Sequence, residues 1–366
     1  FGEFVMSWPS WLPLRESLRP LSPYGAPQVP AQASLNTNEN PYSPSASLQK
    51  AITDAVEKVA ADLNRYPDRD ATVLRTKLAT YINEGSGTNF TADNIWAANG
   101  SNEIIQSIFL AFAQGPVLGF TPSYSMHPLI AKTTGAQWID GKRNPDFSLN
   151  TEDAVAEIIK HKPTLTFITT PNNPTGGAVS IEAIQQLADA AQSVGGLLVV
   201  DEAYAEFSQE LSAVTLISKN PHVIVIRTMS KAFAFAGARV GYLVSDVAVK
   251  DAMMIVRLPY HLSALTQAAA QVAIDHRAEL LGGVSTLIAA RAELVDALHQ
   301  MGLHTVPSSA NFILFTGFKQ DAPQLWSALL EKGVLIRDVG LSGYLRVTIG
   351  NEAENQLFIS ALKELI

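Results

Sequence analysis

The chain has 366 residues and a mass of 39.4 kDa, and 47% of its residues are hydrophobic, so it can bury a sizeable core. A net charge of -8 and a pI near 5.4 argue against nucleic acid or an anionic membrane as a partner and favour a small molecule. The absence of cysteine excludes disulfides, thiolate nucleophiles and cysteine-bound zinc, and it fits a protein of the reducing cytoplasm.

The N-terminal region is predicted to form an extended arm. Residues 8–45 hold eight of the twenty prolines, which suits neither a helix nor a central strand. We therefore expect residues 1–47 to form an arm that packs with the C-terminal domain. The five residues before Met6 resemble a cloning remnant, so Met6 is the expected natural start. No apolar run approaches the length of about 18 residues that a membrane helix needs.

Residues 48–260 are predicted to form a large α/β domain. Short apolar runs such as T-L-T-F-I-T-T (164–170), G-L-L-V-V-D (196–201) and H-V-I-V-I-R (222–227) are typical of strands that are buried on both faces. The stretch 180–191 has a serine cap candidate and apolar residues at helical spacing. A strand, a helix and a strand within about 35 residues predict a mostly parallel central sheet flanked by helices.

Residues 261–366 are predicted to form a smaller α+β domain. A long helical region covers 264–301, and the strand-like segments N-F-I-L-F (311–315), V-L-I-R (334–337) and Y-L-R-V-T-I (344–349) follow it. An amphipathic helix closes the chain. The predicted fold class is therefore α/β, with a large parallel-sheet domain and a smaller α+β domain.

Polar side chains cluster directly after three of the predicted strands. These clusters are P-N-N-P-T-G (171–176), D-E-A-Y (201–204) and T-M-S-K (228–231). Open α/β sheets bind ligands at the carboxyl ends of their strands, so the clusters together predict one common site. Taken alone, Asp201 has an alternative interpretation as a helix cap or turn residue, and Lys231 as a solvated loop lysine.

Two stretches have the composition of an anion site, most naturally for phosphate. The hydroxyls of Thr228 and Ser230 and the guanidinium of Arg239 fall within one loop and the turn after it. The stretch 99–112 carries a helical apolar stripe with Ser101 at its start, where free N–H groups and the helix dipole favour an anion. An ordinary serine cap is the alternative for the second stretch.

These features together match the needs of pyridoxal 5'-phosphate, which has an aldehyde, a phosphate and a pyridine nitrogen. Desolvation disfavours the charged form of Lys231 and leaves its amine able to form a Schiff base. Asp201 would keep the pyridine nitrogen protonated. Asn173 and Tyr204 would donate to the phenolic oxygen, and Tyr124 would stack on the ring.

The motifs P-N-N-P-T-G, D-E-A-Y and S-K-A-F-A-F-A-G-A-R-V-G-Y (230–242), in this order and spacing, resemble those of the fold-type I aminotransferases. More closely, four segments resemble the histidinol-phosphate aminotransferase family: S-P-Y-G-A-P (22–27), L-N-T-N-E-N-P-Y (35–42), R-Y-P-D (65–68) and L-P-Y-H-L-S (258–263). The resemblance runs from about residue 12 to the end of the chain. It implies a pyridoxal-phosphate-dependent transferase of histidine biosynthesis with the fold-type I architecture.

The resemblance also implies a role for each matching residue. Lys231 would bond the cofactor and then act as general base and acid, with Asp201 and Tyr204 as the other catalytic residues. The residues implied to hold the cofactor are Ser101, Asn102, Tyr124, Asn173, Asp201, Tyr204, Thr228, Ser230, Lys231, Arg239 and Tyr66. Tyr66 resembles the tyrosine that reaches the phosphate of the neighbouring subunit's cofactor, which implies a homodimer with shared sites.

Two arginines of the smaller domain bear on the substrate. By residue type alone, Arg337 and Arg346 are ordinary exposed strand residues. The resemblance implies that Arg346 grips a substrate carboxylate and that Arg337 is a second anion contact. The substrate-binding residues so implied are Tyr24, Asn40, Tyr66, Asn173, Arg337 and Arg346, and the arm with Tyr24 and Asn38–Asn40 would cover the site. The implied reaction exchanges an amino group between L-histidinol phosphate and 2-oxoglutarate, giving imidazole acetol phosphate and glutamate.

Several alternatives share parts of this pattern. An aromatic amino acid aminotransferase shares nearly all the motifs, and a threonine-phosphate decarboxylase has the same fold but releases carbon dioxide. A transcription regulator with an aminotransferase-like domain needs a DNA-binding module, for which the chain has neither spare length nor a basic helix. Metal catalysis is disfavoured because the seven histidines are scattered, most as surface or packing residues, and no H-E-x-x-H occurs.

Overall fold

The N-terminal arm is irregular over most of its length. The computed structural model describes residues 8–366, so the segment 1–7, with Met6 and the expected cloning remnant, lies outside the described residues. The arm contains one 3-10 turn at Glu16–Leu18 and reaches a two-residue strand, β1 (Ala33–Ser34). This strand pairs in parallel with residues Val334–Leu335, far along the chain.

Helices and strands then alternate as the sequence predicts. The strands are β2 (Ile95–Ala98), β3 (Val117–Thr121), β4 (Trp138–Lys142), β5 (Leu165–Thr169), β6 (Leu197–Asp201), β7 (Val223–Thr228) and β8 (Gly241–Val244). The flanking helices are α1 (Ala46–Ala60), α2 (Thr72–Ser86), α3 (Ser101–Phe112), α4 (Met126–Thr134), α5 (Thr151–His161), α6 (Ile181–Ser193) and α7 (Val247–Val256). The predicted helix at 180–191 is confirmed as α6, and the Ser180 side chain caps it by accepting from the backbone N–H of Ala183.

The largest sheet within residues 8–366 has seven strands in the order β2-β8-β7-β6-β5-β3-β4. Strand β8 is antiparallel to its neighbours β2 and β7, while β7, β6, β5, β3 and β4 run parallel. The prediction of a mostly parallel central sheet is thereby confirmed. Because parallel strands end at the same edge, Asp201 at the end of β6 and Thr228 at the end of β7 lie close together there.

The C-terminal region builds a second, antiparallel sheet. Its elements are α8 (Ala264–Asp275), α9 (Arg277–Gln300), β9 (His304–Thr305), β10 (Phe312–Thr316), α10 (Ala322–Glu331), β11 (Val334–Leu335), β12 (Arg337–Asp338), β13 (Leu345–Thr348) and α11 (Glu352–Leu365). The strand order is β12-β13-β10-β9, and β11 pairs with β1 of the arm instead. The second sheet therefore lies next to the arm.

Two C-terminal elements differ in detail from the sequence expectation. The helical region 264–301 is two helices, because the backbone leaves helical geometry at His276. The strand expected at 334–337 is divided between β11 and β12, because Val334 pairs with the arm and Arg337 pairs with Arg346. The hydrophobicity of a short segment does not reveal that its two ends pair with different strands.

Buried apolar clusters lie on both faces of the large sheet and beneath the smaller one. Ala270, Ala273 and Ile274 of α8 belong to a cluster of the large sheet, and α8 packs against α1 and α2. Helix α8 therefore packs with the elements of the larger sheet. The division into 1–47, 48–260 and 261–366 stays a prediction.

Candidate active site

A cavity of about 450 Å³ opens at the carboxyl edge of the large sheet and is lined from both lobes and the arm. The predicted site residues that line it are Tyr24, Ser101, Asn102, Tyr124, Asn173, Asp201, Tyr204, Thr228, Ser230, Lys231, Arg239, Arg337 and Arg346. Two further predicted residues, Asn40 and Tyr66, both within the described range 8–366, do not line this cavity. The structure thus brings most of the predicted site together.

Lys231 follows β7 and enters the cavity. Its Nζ donates to the backbone oxygen of Thr37 at 2.8 Å. Burial lowers the pKa of Lys231 to about 8, and the positive charge of Arg346 adds to this shift, while Glu39 opposes it. An amine that loses its proton near neutral pH is an available nucleophile and proton acceptor.

Asp201 is buried at the end of β6 and is held by a histidine. Its Oδ2 lies 3.2 Å from Nε2 of His127, and its Oδ1 accepts from the N–H of Ala203 at 3.2 Å. Because an ionised carboxylate only accepts, the imidazole is the donor. His127 belongs to α4, is 1% exposed, and packs edge-on against Tyr124.

His127 was not among the predicted site residues, because most of the scattered histidines were expected to be surface or packing residues. The partners His127 and Asp201 are 74 residues apart, so only the fold brings them together. One signal was present in the sequence. His127 follows Tyr124 by three residues at the start of a helix, a spacing that puts both side chains on one face.

Two tyrosines place their hydroxyls in the cavity, Tyr204 from a buried position and Tyr124 from a partly buried one. Tyr204 Oη accepts from Asn38 Nδ2 at 2.9 Å, which leaves its own hydrogen free. Tyr124 Oη donates to Asn102 Oδ1 at 3.1 Å. Burial raises the pKa of Tyr124 and that of Tyr204, so both phenols stay protonated at neutral pH.

The N-terminus of α3 and the guanidinium of Arg239 meet at a point where the backbone is tightly packed. Gly100 precedes α3 with φ +83, and a Cβ at this residue would lie 2.5 Å from Arg239 Nη2. A Cβ at Gly241 would lie 2.5 Å from the backbone nitrogen of Ser101. Glycine at both positions therefore allows a cation and the first N–H groups of a helix to share one corner of the cavity.

The hydroxyls predicted for the same corner are in place. Thr228 Oγ1 donates to Ser230 Oγ at 3.0 Å and accepts from the N–H of Ser230 at 3.1 Å. Together with Ser101, Asn102 and Arg239 these hydroxyls form a set of donors without a carboxylate. The set is suited to an anion such as phosphate.

Arg346 lies on β13 and carries a buried charge, with 6% of its surface exposed. Its Nη2 donates to the backbone oxygen of Asn36 at 2.8 Å and its Nη1 to Oδ1 of Asn173, while the guanidinium lies 5.0 Å from the ring centre of Phe312. Its Nε has no hydrogen-bond partner among residues 8–366. Burial lowers the pKa of Arg346 to about 10.

Arg337 on β12 pairs with Arg346 directly across the two strands. Burial is the largest cause of the lowered pKa of Arg346. The charge of Arg337 lowers this pKa further, while Tyr204 raises it. Within residues 8–366 no carboxylate forms an ion pair with either arginine. Two facing arginines that no carboxylate of the protein neutralises favour the binding of an anionic ligand.

Asn40 and Tyr66 lie outside the cavity of this chain. Asn40 Nδ2 donates to the backbone oxygen of Ala232 at 3.3 Å, so it holds the chain next to Lys231. Tyr66 is 80% exposed and stacks on Tyr260 with ring centres 4.4 Å apart. Its implied contact with a neighbouring subunit stays a prediction.

Several lining residues were not predicted as site residues. These are Ala26, Asn36, Thr37, Asn38, Glu39, Ser123, Ser125, Thr169, Pro174, Ala203, Ala236, Gly237, Asp338 and Val339. Asn38 was expected only to cover the site, yet its amide reaches Tyr204 inside it. The polar run N-T-N-E-N at 36–40 was the available signal, since so many amides in one extended segment need partners.

Residues 8–366 carry neither a metal-binding cluster nor a membrane-spanning helix. No group of three or more histidine, aspartate or glutamate side chains there could hold a metal ion. In the same range, no helix has both the length and the apolar character required to span a bilayer.

Comparison with known proteins gives a family and close relatives. Residues 30–362 match the family model described as aminotransferase class I and II. The chain is 52% identical over 359 residues to the histidinol-phosphate aminotransferase of Mycobacterium sp. (strain JLS), covering 97% of this chain and 94% of that protein. It is 51% identical over 358 residues to the histidinol-phosphate aminotransferase of Mycolicibacterium smegmatis, covering 97% and 93%.

Solved structures share the architecture. Histidinol-phosphate aminotransferase from Sinorhizobium meliloti, in complex with pyridoxal-5'-phosphate, matches with a TM-score of 0.80 and 25% identity over 92% of this chain and 91% of that chain. L-threonine-O-3-phosphate decarboxylase from Porphyromonas gingivalis matches with a TM-score of 0.77 and 21% identity, over 91% and 99%. The second likeness shows the fold alone.

Proposed function

The chain belongs to the class I and II aminotransferases, and we propose that it exchanges an amino group between L-histidinol phosphate and 2-oxoglutarate, giving imidazole acetol phosphate and glutamate. The observation that carries this proposal is the pair Arg337 and Arg346 in the same cavity as Lys231. A substrate with an amino group and a distant phosphate or carboxylate satisfies both the lysine and the arginines. The relatives at 51–52% identity, named histidinol-phosphate aminotransferases, support the choice of substrate.

The cavity fits pyridoxal 5'-phosphate. Lys231 offers an amine with a lowered pKa, Asp201 offers a buried carboxylate, and the corner between α3 and Arg239 offers donors for a phosphate. When bound, the cofactor supplies an aldehyde for the amino nitrogen and a ring that withdraws electrons from the reacting carbon. The residues of the chain supply everything else.

Lys231 is the proposed proton carrier. Its Nζ takes a proton from the substrate carbon and returns it, which requires a pKa near the working pH. Asp201 would place its carboxylate at the pyridine nitrogen of the cofactor, and His127 keeps that carboxylate oriented. Tyr204 and Asn173 would donate to the phenolic oxygen of the cofactor, and Tyr124 would cover its ring.

Anion binding is divided between two corners of the cavity. The residues that would hold the cofactor phosphate are Ser101, Asn102, Thr228, Ser230 and Arg239. Arg337 and Arg346, with Tyr24, hold the phosphate of the donor or the carboxylates of glutamate in turn, as a ping-pong exchange requires. Asn40 acts on the site indirectly, because its Nδ2 donates to the backbone oxygen of Ala232, the residue next to Lys231.

The arm excludes water from the reacting atoms. Thr37 accepts from Lys231 and Asn36 from Arg346, so the arm bonds to a residue of each lobe. Water exclusion strengthens the charge interactions on which both anion corners depend.

A homodimer in the cytoplasm is part of the proposal. Tyr66 is exposed and lies outside the cavity of its own chain, which supports a role in the site of a second copy. A cytoplasmic enzyme is consistent with a cysteine-free chain.

The first test is kcat/KM of the pyridoxal-phosphate-loaded enzyme for L-histidinol phosphate and for L-phenylalanine, each with 2-oxoglutarate. We expect a strong preference for histidinol phosphate. A preference for phenylalanine would instead identify an aromatic amino acid aminotransferase. If neither donor yields glutamate and threonine phosphate releases carbon dioxide, the protein is a decarboxylase and the proposal is wrong.

A further inference from the structure

A buried ionic cluster lies at the same edge of the large sheet as the cavity, on the face away from the side chains of Asp201 and Thr228. Arg227 precedes Thr228 on β7, and Glu202 follows Asp201 of β6. Because side chains alternate along extended chain, Arg227 and Glu202 point away from the cavity that Thr228 and Asp201 line. Arg227 is 7% exposed and Glu202 is 2% exposed.

Each of the three guanidinium nitrogens of Arg227 donates a hydrogen bond in this cluster. Nε donates to Glu202 Oε2 at 2.9 Å, Nη1 donates to Glu206 Oε1 at 2.9 Å, and Nη2 donates to Ser212 Oγ at 3.0 Å. Burial alone would lower the pKa of Arg227, but the carboxylates of Glu202 and Glu206 outweigh it and raise this pKa. The arginine therefore keeps its charge inside the protein.

The carboxylates of Glu202 and Glu206 also accept hydrogen bonds from groups other than Arg227. Glu202 Oε1 accepts from the N–H of Ala213 at 2.6 Å, and its Oε2 accepts from Ser212 Oγ at 2.7 Å. Tyr81 of α2 donates to Glu206 Oε1 at 3.2 Å. The cluster thus joins β6, β7, the turn after β6 and a flanking helix.

Each of three residues in the cluster is close in the chain to a residue that lines the cavity. Glu202 is next to Asp201, and Arg227 is next to Thr228. Glu206 comes two residues after Tyr204. A displacement of one segment relative to the others would move the corresponding cavity residue by a similar amount.

We propose that Arg227 is a positioning residue: its three hydrogen bonds fix the segments that carry Asp201, Tyr204 and Thr228 relative to one another. This inference rests on the proposed function, because those three residues are the ones assigned to the cofactor. Buried ionic clusters are often no more stabilising than apolar packing of the same volume. A planar guanidinium adds three hydrogen bonds whose directions are fixed. Such bonds determine how the segments that accept them lie relative to one another.

The test is Arg227→Lys, which keeps the charge and loses the planar arrangement of donors. We expect the dissociation constant of pyridoxal phosphate for the cofactor-free protein to rise about tenfold, the cost of a lost charge-assisted hydrogen bond. We expect kcat to fall as well, with the KM for histidinol phosphate changed by less than about threefold. Equilibrium dialysis and steady-state kinetics measure these quantities well below the unfolding temperature.

A merely structural role gives a different result. In that case the unfolding midpoint of the cofactor-free variant falls, while its cofactor affinity and kcat stay within about twofold of wild type. That outcome overturns the proposal.

Two phenylalanine variants form a matched pair and keep the test decisive if Arg227→Lys fails to fold. Tyr81→Phe removes one bond to Glu206 and leaves every charge in place, so we expect a cofactor dissociation constant about threefold higher. Tyr242 lies opposite Arg227 in the β7–β8 register, and its hydroxyl has no hydrogen-bond partner within residues 8–366. Tyr242→Phe should leave the constant unchanged. Equal constants for the two variants would contradict the proposal.

Wild-type protein separates this inference from the proposed function. Borohydride reduction followed by peptide mass analysis shows whether the cofactor becomes fixed on Lys231. If it does not, the proposed function fails. If it does, and the Arg227 and Tyr81 variants bind cofactor as wild type does, only the positioning role fails.

Discussion

Lys231 shows how one residue obtains its reactivity from its surroundings. It donates to a backbone oxygen of the arm and lies near Arg346, and burial together with that charge brings its pKa to about 8. No residue adjacent in sequence produces this shift. The effect depends on the arm and the smaller sheet both reaching the end of β7.

Replacing this lysine should stop the reaction. We expect Lys231→Ala to lower kcat by about 10²–10⁴-fold or more, since general acid–base catalysis alone accounts for that range. Lys219, an exposed lysine, provides the control. Lys219→Ala should retain full activity, and loss of activity in both variants would point to a general effect on folding.

The lowered pKa of Lys231 also predicts a pH dependence of stability. The unfolded chain keeps the lysine proton up to about pH 10.5, whereas the cofactor-free folded protein releases it near pH 8. Between these values the unfolded state binds more protons, so raising the pH stabilises the folded state, and below about pH 8 the full cost of burying the charge is present. The unfolding midpoint of wild type relative to Lys231→Met should therefore rise from pH 8 to pH 10.5. Parallel curves over this range would contradict the buried-charge explanation.

Arg346 should determine the affinity for anionic substrates. Arg346→Lys keeps a charge but loses directed donors, and we expect kcat/KM for histidinol phosphate to fall by about 10–100-fold, the cost of one or two charge-assisted hydrogen bonds. Arg277 is a partly exposed arginine outside the cavity that pairs with Glu84, and Arg277→Lys is the matched control. Equal kinetics for the two variants would remove Arg346 from the substrate site.

The residues that could be predicted from the sequence are those carried by contiguous motifs. Lys231, Asp201 and Arg239 each follow or lie near a predicted strand, and all three line the cavity. His127 could not be found this way, because its partner is 74 residues distant. Thr37 contributes a backbone oxygen, which its side chain does not reveal.

Among the elements, α3 and β8 illustrate how close packing produces an anion site. Strand β8 is the antiparallel member of the large sheet and brings Gly241 against the first residue of α3. The close approach leaves the N-terminus of α3 facing the cavity. Strand order and direction at this position cannot be derived from the apolar runs alone, whereas the parallel core of the sheet can.

Gly241→Ala tests this packing. The added Cβ would lie 2.5 Å from Ser101 N and 2.6 Å from Gly100 C, so backbone must move. We expect a loss of about 1–3 kcal/mol in the free energy of unfolding, as for overpacked cores, together with weaker cofactor binding. Chemical denaturation and cofactor titration measure the two effects.

Gly85 in α2 provides the comparison for that variant. A Cβ there meets no atom within 4 Å. Gly85→Ala should raise the free energy of unfolding by about 0.5 kcal/mol through helix propensity and leave the cofactor affinity unchanged. If both alanine variants behaved alike, close packing at Gly241 would not be the cause.

At the scale of the whole molecule, the arm joins the two sheets. Asn38 Nδ2 donates to Tyr204 of the larger lobe, and its backbone N–H donates to Thr348 Oγ1 at 3.0 Å in the smaller sheet. Asn311 Nδ2 donates to the backbone oxygen of Asn38 at 3.1 Å. One short segment therefore bonds to both walls of the cavity.

The proposed dimer makes a prediction for mixed subunits. Lys231→Ala and Tyr66→Ala should each be nearly inactive alone, yet a mixed dimer has one site with both native residues, so mixing the two after dissociation should restore activity. Sedimentation should show a particle of twice the 39.4 kDa chain mass. Mixing Lys231→Ala with the double variant should restore nothing, and a monomeric wild type would exclude shared sites.

The bond between Asn38 and Thr348 spans 310 positions of the chain. During synthesis the N-terminal residues leave the ribosome long before residue 348 does, and contacts of such separation form last because the intervening chain must first be ordered. The cavity is thus completed only after the strand that carries Arg346 and Thr348 has been made. A chain that stops before this strand lacks one wall of the cavity, so cofactor capture has to follow the synthesis of residues 345–348.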